Sequence, residues 1–218
     1  MSSEFGYIPE SPDQSYGNNN GIFSPKDIYN LVRDDKWSES GQLELIQTQS
    51  FSSGNSALDF TAIKETEYDI HFFVYNNIVF SSGQVNKYFA MKLSNDNGSS
   101  FITTNYDYGL YYGGSSFGDV RGTGESYFTR LAYSDSGAEM SGYGYIYNAG
   151  KASKYTFATL HSALNREDSS FQYFYFGNAV HHNAEVINGF RFYEPTGTTF
   201  ESGSISLYGI KVYKWVVV

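Results

Sequence analysis

The side chains best suited to binding chemistry are four tyrosines within residues 105–114, namely Tyr106, Tyr108, Tyr111 and Tyr112. In a strand, Tyr106 and Tyr108 would share a face with Leu110, and Tyr112 would continue it, because side chains alternate between the two faces. Such rings, with Asn and Asp nearby, can stack on sugars, since each has an apolar face and a polar edge. The same rings also suit a protein core or a subunit interface. Core, interface and glycan binding therefore stay open as interpretations.

Residues 114–118 match the Gly-x-Ser-x-Gly pattern of a serine nucleophile elbow, with Ser116 at the serine position. That elbow lies between a strand and a helix. Residues 119–124, Asp-Val-Arg-Gly-Thr-Gly, have a loop composition and no helical pattern. We interpret the match as chance and expect a glycine-rich loop. No catalytic residue is predicted.

Residues 94–101, Ser-Asn-Asp-Asn-Gly-Ser-Ser-Phe, resemble the Asp-box hairpin of sialidases, Ser-x-Asp-x-Gly-x-Thr-Trp. They depart from it at Ser100 and Phe101. In such a hairpin the Asp accepts hydrogen bonds from turn amides, the Gly takes a positive φ and the last aromatic packs beneath. Because sialidase boxes lie away from catalysis, a single copy predicts a hairpin device rather than glycosidase activity.

The histidines form no recognisable metal-binding pattern. His181 and His182 are adjacent, so in a strand they point to opposite faces and cannot chelate one ion together. His71 and His161 stand alone in strand patterns. The chain has no cysteine, which excludes disulfides, thiolate zinc sites, iron–sulfur clusters and cysteine nucleophiles. The sequence therefore predicts no metal, no cofactor and no enzymatic activity.

The charge balance limits the classes of partner. In 218 residues, 14 Lys and Arg stand against 23 Asp and Glu, a net charge of -9. Such a chain has no cationic surplus with which to displace counterions from phosphates, so nucleic-acid binding is not expected. No basic and apolar leader and no apolar run of about 20 residues is present. We therefore expect synthesis in a cytoplasm, without a signal peptide or membrane insertion.

From residue 42 onward, the hydrophobic period changes from that of a helix to that of a strand. The predicted strands cover residues 43–48, 68–74, 88–93, 142–147, 155–160, 171–176 and 205–212. Turn signals at 97–98, 148–150, 188–189 and 195–197 separate many of them. The predicted fold is all-β, an antiparallel two-sheet jelly-roll-like sandwich over residues 42–218.

Residues 1–41 are predicted to form an extended arm and one short helix. The first 21 residues are polar and turn-prone, and the apolar residues among them favour docking, either onto a partner or onto the chain's own domain. Ser24 and Asp27 form a capping box around Pro25, which starts a helix expected to end near Asp35. The residues predicted to anchor the protein or its oligomer are Phe5, Tyr7, Ile8, Tyr16, Phe23, Ile28, Leu31 and Trp37.

The segment Gly-Ile-Phe-Ser-Pro-Lys-Asp-Ile-Tyr at 21–29, followed by Trp37, resembles a motif near the start of tailed-phage virion proteins. Ser38 replaces the usual proline after that tryptophan, which makes the end of the helix less defined. Further blocks resemble structural proteins from phages of marine bacteria and cyanobacteria; they lie at 58–61, 71–72, 93–101, 145–150, 155–157 and 203–210. The resemblance implies a virion component, whether tail appendage, baseplate or head decoration.

Two functional hypotheses follow. The first is a non-enzymatic virion subunit, a tail fibre or capsid-decorating protein, that assembles through its N-terminal arm with copies of itself and with other virion proteins. Analogy with phage fibres and decorations favours a homotrimer. The alternative is a carbohydrate-binding sandwich module that reads a host surface glycan, with the tyrosines of 105–114 as its platform. An adsorption appendage can combine the two.

Overall fold

The computed structural model describes residues 14–15, 18–19, 24–34, 43–83, 86–114, 116–134, 138–165 and 172–210. The chain divides into two compact units, Met1–Gln42 and Leu43–Val218. The elements in chain order are β1 (Gln14–Ser15), β2 (Asn18–Asn19), α1 (Pro25–Arg33), β3 (Leu43–Ser50), β4 (Ala57–Phe60), β5 (Ile70–Phe80), β6 (Lys87–Ser94), β7 (Tyr106–Gly113), β8 (Gly118–Glu125), β9 (Thr129–Ser134), β10 (Met140–Tyr147), β11 (Thr156–Asn165), β12 (Gln172–His181), β13 (Gly189–Tyr193) and β14 (Phe200–Ile210).

The predicted capping box at the start of α1 is confirmed. The Ser24 amide donates to the Asp27 carboxylate at 2.8 Å, and the Asp27 amide donates to the Ser24 hydroxyl at 3.3 Å. These bonds satisfy amides that the first helical turn leaves without a partner. The helix ends at Arg33, two residues earlier than expected. In the same unit, β1 and β2 pair as a two-residue antiparallel ladder.

The predicted all-β, two-sheet sandwich is confirmed. The large sheet has eight strands in the order β3-β14-β5-β10-β11-β12-β7-β8, and the small sheet has four in the order β4-β13-β6-β9. The pairings within both sheets are antiparallel. A strand stands at each of the seven predicted places, although residues 211–212 of the last lie outside the described residues.

The core between the sheets is built largely from aromatic rings. Phe73 of β5 meets Phe192 of β13 edge-on, with ring centroids 5.2 Å apart. Tyr75 of β5 meets Phe89 of β6 at the same distance. The largest fully buried side chains are Tyr68, Tyr75, Tyr106, Phe60, Phe73, Phe80, Phe89, Phe128, Phe190, Phe192, Phe200 and Ile63. Burial of such rings supplies most of the driving force for pairing the two sheets.

The two sheets differ in width, which leaves part of the large sheet uncovered. Strand β9, at one edge of the small sheet, packs against β7, β11 and β12. Strand β8 is the next strand outward from β7 and forms the edge of the large sheet. Strands β10, β11, β12, β7 and β8 have an outer face turned away from the core, and at β12, β7 and β8 the inner face is only partly covered. Both faces carry clefts.

Candidate binding groove on the outer face of the large sheet

Four rings on adjacent strands form a continuous row across the outer face. Tyr111 of β7 is in register with Phe176 of β12, Phe176 with His161 of β11, and His161 with Tyr143 of β10. Tyr111 and Phe176 stack at 5.7 Å and 22°. His161 meets Phe176 edge-on at 6.0 Å and Tyr143 at 5.8 Å. The sheet register thus aligns rings that are far apart in the sequence.

A second, more polar row lies beside the first. Arg121 of β8, Gly109 of β7, Asn178 of β12, Thr159 of β11 and Tyr145 of β10 are in register with one another. Because Gly109 has no side chain, it leaves a gap in this row. The nearest atom to a side chain added there is the Asn178 amide oxygen, 3.9 Å from the ideal Cβ position. The two rows line an open groove of about 920 Å³.

Fixed charges lie at the β8 end of the groove. The Arg121 guanidinium donates to the Asp119 carboxylate through Nε at 3.0 Å and Nη2 at 2.8 Å. Hydrogen bonding to Asp119 and its charge raise the pKa of Arg121, so this guanidinium stays charged. Its side chain is nevertheless 81% exposed. It remains accessible to a polar ligand group.

The rings of the groove are open to solvent to an unusual degree. Tyr111 is 61% exposed, Phe176 45% and Tyr143 42%. Grouped exposed rings rimmed by polar side chains mark binding surfaces more often than scattered exposed apolar residues do. Flat apolar rings next to Asn, Thr, Asp and Arg groups can stack on a sugar and hydrogen-bond its hydroxyls. The chemistry of this surface therefore matches a carbohydrate.

The predicted tyrosine platform is divided between the two faces of β7. Tyr106 and Tyr108 do share one face, but they point into the core, with 0% and 4% exposure. The Tyr106 hydroxyl accepts a bond from the Leu93 amide at 3.1 Å, and the Tyr108 hydroxyl lies 3.1 Å from that of Tyr127. Tyr112 lies on the same face, half-buried against the ring of Tyr175 at 5.8 Å. Only Tyr111, on the opposite face, lines the groove, so burial removes Tyr106 and Tyr108 from any exposed platform.

Most of the groove was missed by sequence reasoning. Phe176, Tyr143 and Tyr145 fall in predicted strands, but nothing in the sequence marks them as a surface, because buried and exposed rings alternate in the same strands. His161 was expected to be an ordinary histidine. Strict alternation does hold in β11, where every second residue from Phe157 to Asn165 is exposed. Alternation along each strand could thus have indicated which side chains are exposed. The register between strands, which brings these rings together, could not be read from the sequence.

Part of the predicted anchor falls within the described residues. Ile28 and Leu31 lie on the half-buried side of α1, whereas Tyr29 and Val32 are 66% and 57% exposed. The remaining anchor residues lie outside the described residues: Phe5, Tyr7, Ile8, Tyr16, Phe23 and Trp37. The anchoring role of residues 1–41 stays a prediction.

The serine motif lies in a loop and the strand that follows it, and two of the histidines lie close to carboxylates. Ser116 lies in the loop that joins β7 to β8. The expectation of a loop at residues 119–124 was wrong, because they belong to the edge strand β8. His181 is buried with Nε2 2.7 Å from Glu185, and His182 lies 2.7 Å from Asp107. Within the described part of the chain, no cluster of three or more histidine, aspartate or glutamate side chains could hold a metal ion.

The turn contacts of the predicted Asp box form, but the hairpin does not, because β6 pairs with β13 and β9 and the following strand, β7, lies in the large sheet. Asp96 accepts bonds from the Ser100 amide at 2.9 Å and from the Ser94 hydroxyl at 2.8 Å, and these partners lower its pKa. Asn97 and Gly98 both take a positive φ. Phe101 packs under the Arg191 guanidinium at 3.9 Å. The box therefore holds the loop after β6 against β13 of the small sheet, away from the groove.

No protein-family model and no curated protein matches the sequence. Two solved chains match the structure. One is a protein of unknown function from Shewanella oneidensis MR-1, 11% identical, with a match that covers 92% of this chain and 100% of that chain at a TM-score of 0.27. A similarity at that TM-score carries no argument. Among the described residues, no helix has the length and apolar character that crossing a membrane requires.

Proposed function

We propose that this chain is a non-enzymatic structural subunit of a tailed-phage virion whose sandwich binds a host surface glycan in the outer-face groove. The observation that carries the binding part is the row of exposed rings headed by the stacked pair Tyr111 and Phe176. The virion part is supported by the sequence resemblance at 21–29 and in the later blocks. The two parts are tested separately.

The dimensions of the groove favour an oligosaccharide. It crosses five strands, β8, β7, β12, β11 and β10, and neighbouring strands lie about 4.8 Å apart. Its lining therefore spans about 19 Å. A flat and open site of this length suits a chain of several sugars, with rings stacking on sugar faces and the Arg121 and Asn178 side chains bonding hydroxyls. The charged rim at Asp119 and Arg121 provides one donor and one acceptor group for orientation.

The binding part is tested by screening the purified chain on a glycan array. We expect binding to a limited set of bacterial surface glycans, lost in Tyr111→Ala and in Phe176→Ala. Both rings lie on the outer face, so the variants keep the core intact and the comparison is made between folded proteins. An array that shows no binding by the wild-type chain at micromolar concentration contradicts the glycan proposal.

The virion part is tested through assembly. Residues 1–42 form a unit of their own, and α1 presents exposed Tyr29 and Val32 within it. We expect the full chain to form an oligomer, with a trimer favoured, and deletion of residues 1–37 to reduce its mass in multi-angle light scattering. A full chain that is monomeric at high concentration, or an oligomer unchanged by the deletion, contradicts assembly through the arm.

A further inference from the structure

The inner face of the large sheet carries a second cleft, where that sheet extends past the edge of the small one. It has a volume of about 400 Å³ and lies between β7, β8 and β12 on one side and β6 and β9 on the other. Five tyrosines line it, Tyr88, Tyr112, Tyr133, Tyr173 and Tyr175. Ser116, from the loop with the serine motif, also contributes to the lining. A cleft of this size holds one ring-sized molecule rather than a chain of sugars.

One cation, Arg130 of β9, lines this cleft and differs from its counterparts. Of the four arginines in the described part of the chain, Arg33, Arg121 and Arg191 each form an ion pair with an aspartate. Arg130 instead lies over the Tyr88 ring at 4.0 Å and donates from Nε to the Tyr127 hydroxyl at 2.9 Å. No carboxylate among the described residues pairs with it.

Tyrosine side chains, rather than carboxylates, surround Arg130 among the described residues. The guanidinium is half-buried, and the rings of Tyr108 and Tyr127 lie 5.8 and 5.6 Å from it. Burial raises the pKa of Tyr108 above its ordinary value of 10.0, so this hydroxyl supplies no anion. Burial lowers the pKa of Arg130, but its bond to Tyr127 and the nearby tyrosines outweigh that effect and leave the pKa raised. A half-buried cation that pairs with no carboxylate of the described residues favours an anion from solution.

We propose that the Arg130 cleft binds a monocyclic molecule that carries an oxyanion, a carboxylate or a phosphate. The guanidinium fork matches either group with two parallel N–H bonds. The tyrosine rings hold the ring of the ligand. This site lies on the opposite face of the sheet from the groove, so it stands whether or not the groove binds a glycan.

The test is isothermal titration of the purified full chain with four probes: glucuronate, glucose 6-phosphate, inorganic phosphate and methyl glucoside. We expect one or both of the charged sugars to bind, inorganic phosphate to bind more weakly because it lacks a ring, and the neutral methyl glucoside not to bind. The stronger of the two charged sugars identifies the oxyanion. Equal binding of charged and neutral rings, or no binding of either charged sugar at millimolar concentration, overturns the proposal.

Two variants locate the site. Arg130→Met keeps the length of the side chain and removes the charge, and we expect at least a tenfold loss of affinity for the charged sugar. Arg33→Met is the matched control, because it removes an exposed arginine of α1 that lines neither the groove nor the cleft, and we expect unchanged affinity. If Arg130→Met fails to fold, Ser116→Trp at the exposed loop fills the cleft mouth and is expected to give the same loss. Wild-type affinity in Arg130→Met or in Ser116→Trp, or an equal loss in Arg33→Met, contradicts this assignment.

Discussion

Tyr111 and Phe176 stack at 5.7 Å on neighbouring strands, yet 61% of the tyrosine and 45% of the phenylalanine remain exposed. They are directly opposed in the register of β7 and β12. Rings that serve only to stabilise a sheet are normally covered, because burial is the source of most of their contribution. The exposure of this stacked pair is the observation on which the glycan proposal rests.

Gly109 provides a test of the groove that leaves its rings untouched. A Cβ added at Gly109 would meet nothing closer than the Asn178 amide oxygen at 3.9 Å. We therefore expect Gly109→Leu to fold normally and to fill the groove floor, with at least a tenfold loss of glycan affinity in a titration of the best array ligand. Unchanged affinity in a folded Gly109→Leu protein places the ligand elsewhere.

Gly177 is the matched contrast on the neighbouring strand. A Cβ at Gly177 would lie 2.1 Å from the Gly109 carbonyl oxygen, which is backbone and cannot move aside cheaply. We expect Gly177→Ala to lower the free energy of unfolding by about 1–3 kcal/mol, as overpacking commonly does. Urea denaturation followed by tyrosine fluorescence measures it. Equal stability of Gly177→Ala and the wild type argues against the close approach of β7 and β12.

The position of Phe192 in the core predicts a large loss of stability when its ring is removed. This ring is fully buried and contacts Phe73 of the opposite sheet at 5.2 Å. We expect Phe192→Ala to reduce the free energy of unfolding by about 3–5 kcal/mol, through lost burial and the cavity left behind. Phe157→Ala, which removes a 43% exposed ring, should cost less than about 1 kcal/mol. Similar losses in both variants are incompatible with a core between the two sheets.

The burial of His71 predicts that the free energy of unfolding depends on pH. It is fully buried, its Nε2 donates to the Ile63 carbonyl at 2.7 Å, and its Nδ1 has no hydrogen-bond partner within the described residues. Burial lowers the pKa of His71 below its ordinary 6.5, while the bond to Ile63 and the charge of Glu65 act more weakly in the opposite direction. The unfolded chain therefore takes up this proton first as the pH falls. Stability declines below about pH 6.5, by at most about 1.4 kcal/mol per pH unit from this group.

The measurement is urea denaturation at a series of pH values between 7 and 5. We expect His71→Gln to reduce the dependence on pH, because it removes the titrating group and keeps a donor for Ile63. His161→Gln, at an exposed position, is the control and should retain the wild-type dependence. An identical slope in wild type and His71→Gln shows that another group is responsible.

Local sequence patterns were enough to predict the fold class, but they did not predict the groove. Alternation in residues such as 142–147 and 155–160 marks strands by itself, and turn residues such as Asn97 and Asn148 do take the positive φ that their chemistry favours. The short strands β4, β9 and β13 were not predicted. Strand β8 was expected to be a loop because of its glycines and charged residues, a composition that an edge strand with one partner tolerates.

The site depends on pairings that are distant in the sequence. Tyr111 meets Phe176 only because β7 pairs with β12, and no local pattern specifies that register. The faces of β7 were also ambiguous, because Tyr106 and Tyr108 on one face and Tyr111 on the other are equally aromatic. Asp107 and Gly109 lie on the same face of β7 as Tyr111, and both residue types suit an exposed face better than a core. They could have indicated that Tyr111 points outward.

The most direct test of the glycan proposal is the affinity of the best array ligand for the double variant Tyr111→Ala/Phe176→Ala, measured by titration beside Phe157→Ala. Phe157 is a similarly exposed ring on the same face, outside the groove. Because each stacking ring contributes about 0.5–1.5 kcal/mol beyond its burial, we expect the double variant to bind at least tenfold more weakly. Phe157→Ala should bind as the wild type does. Wild-type affinity in the double variant, or an equal loss in Phe157→Ala, would contradict a binding site built on the stacked pair.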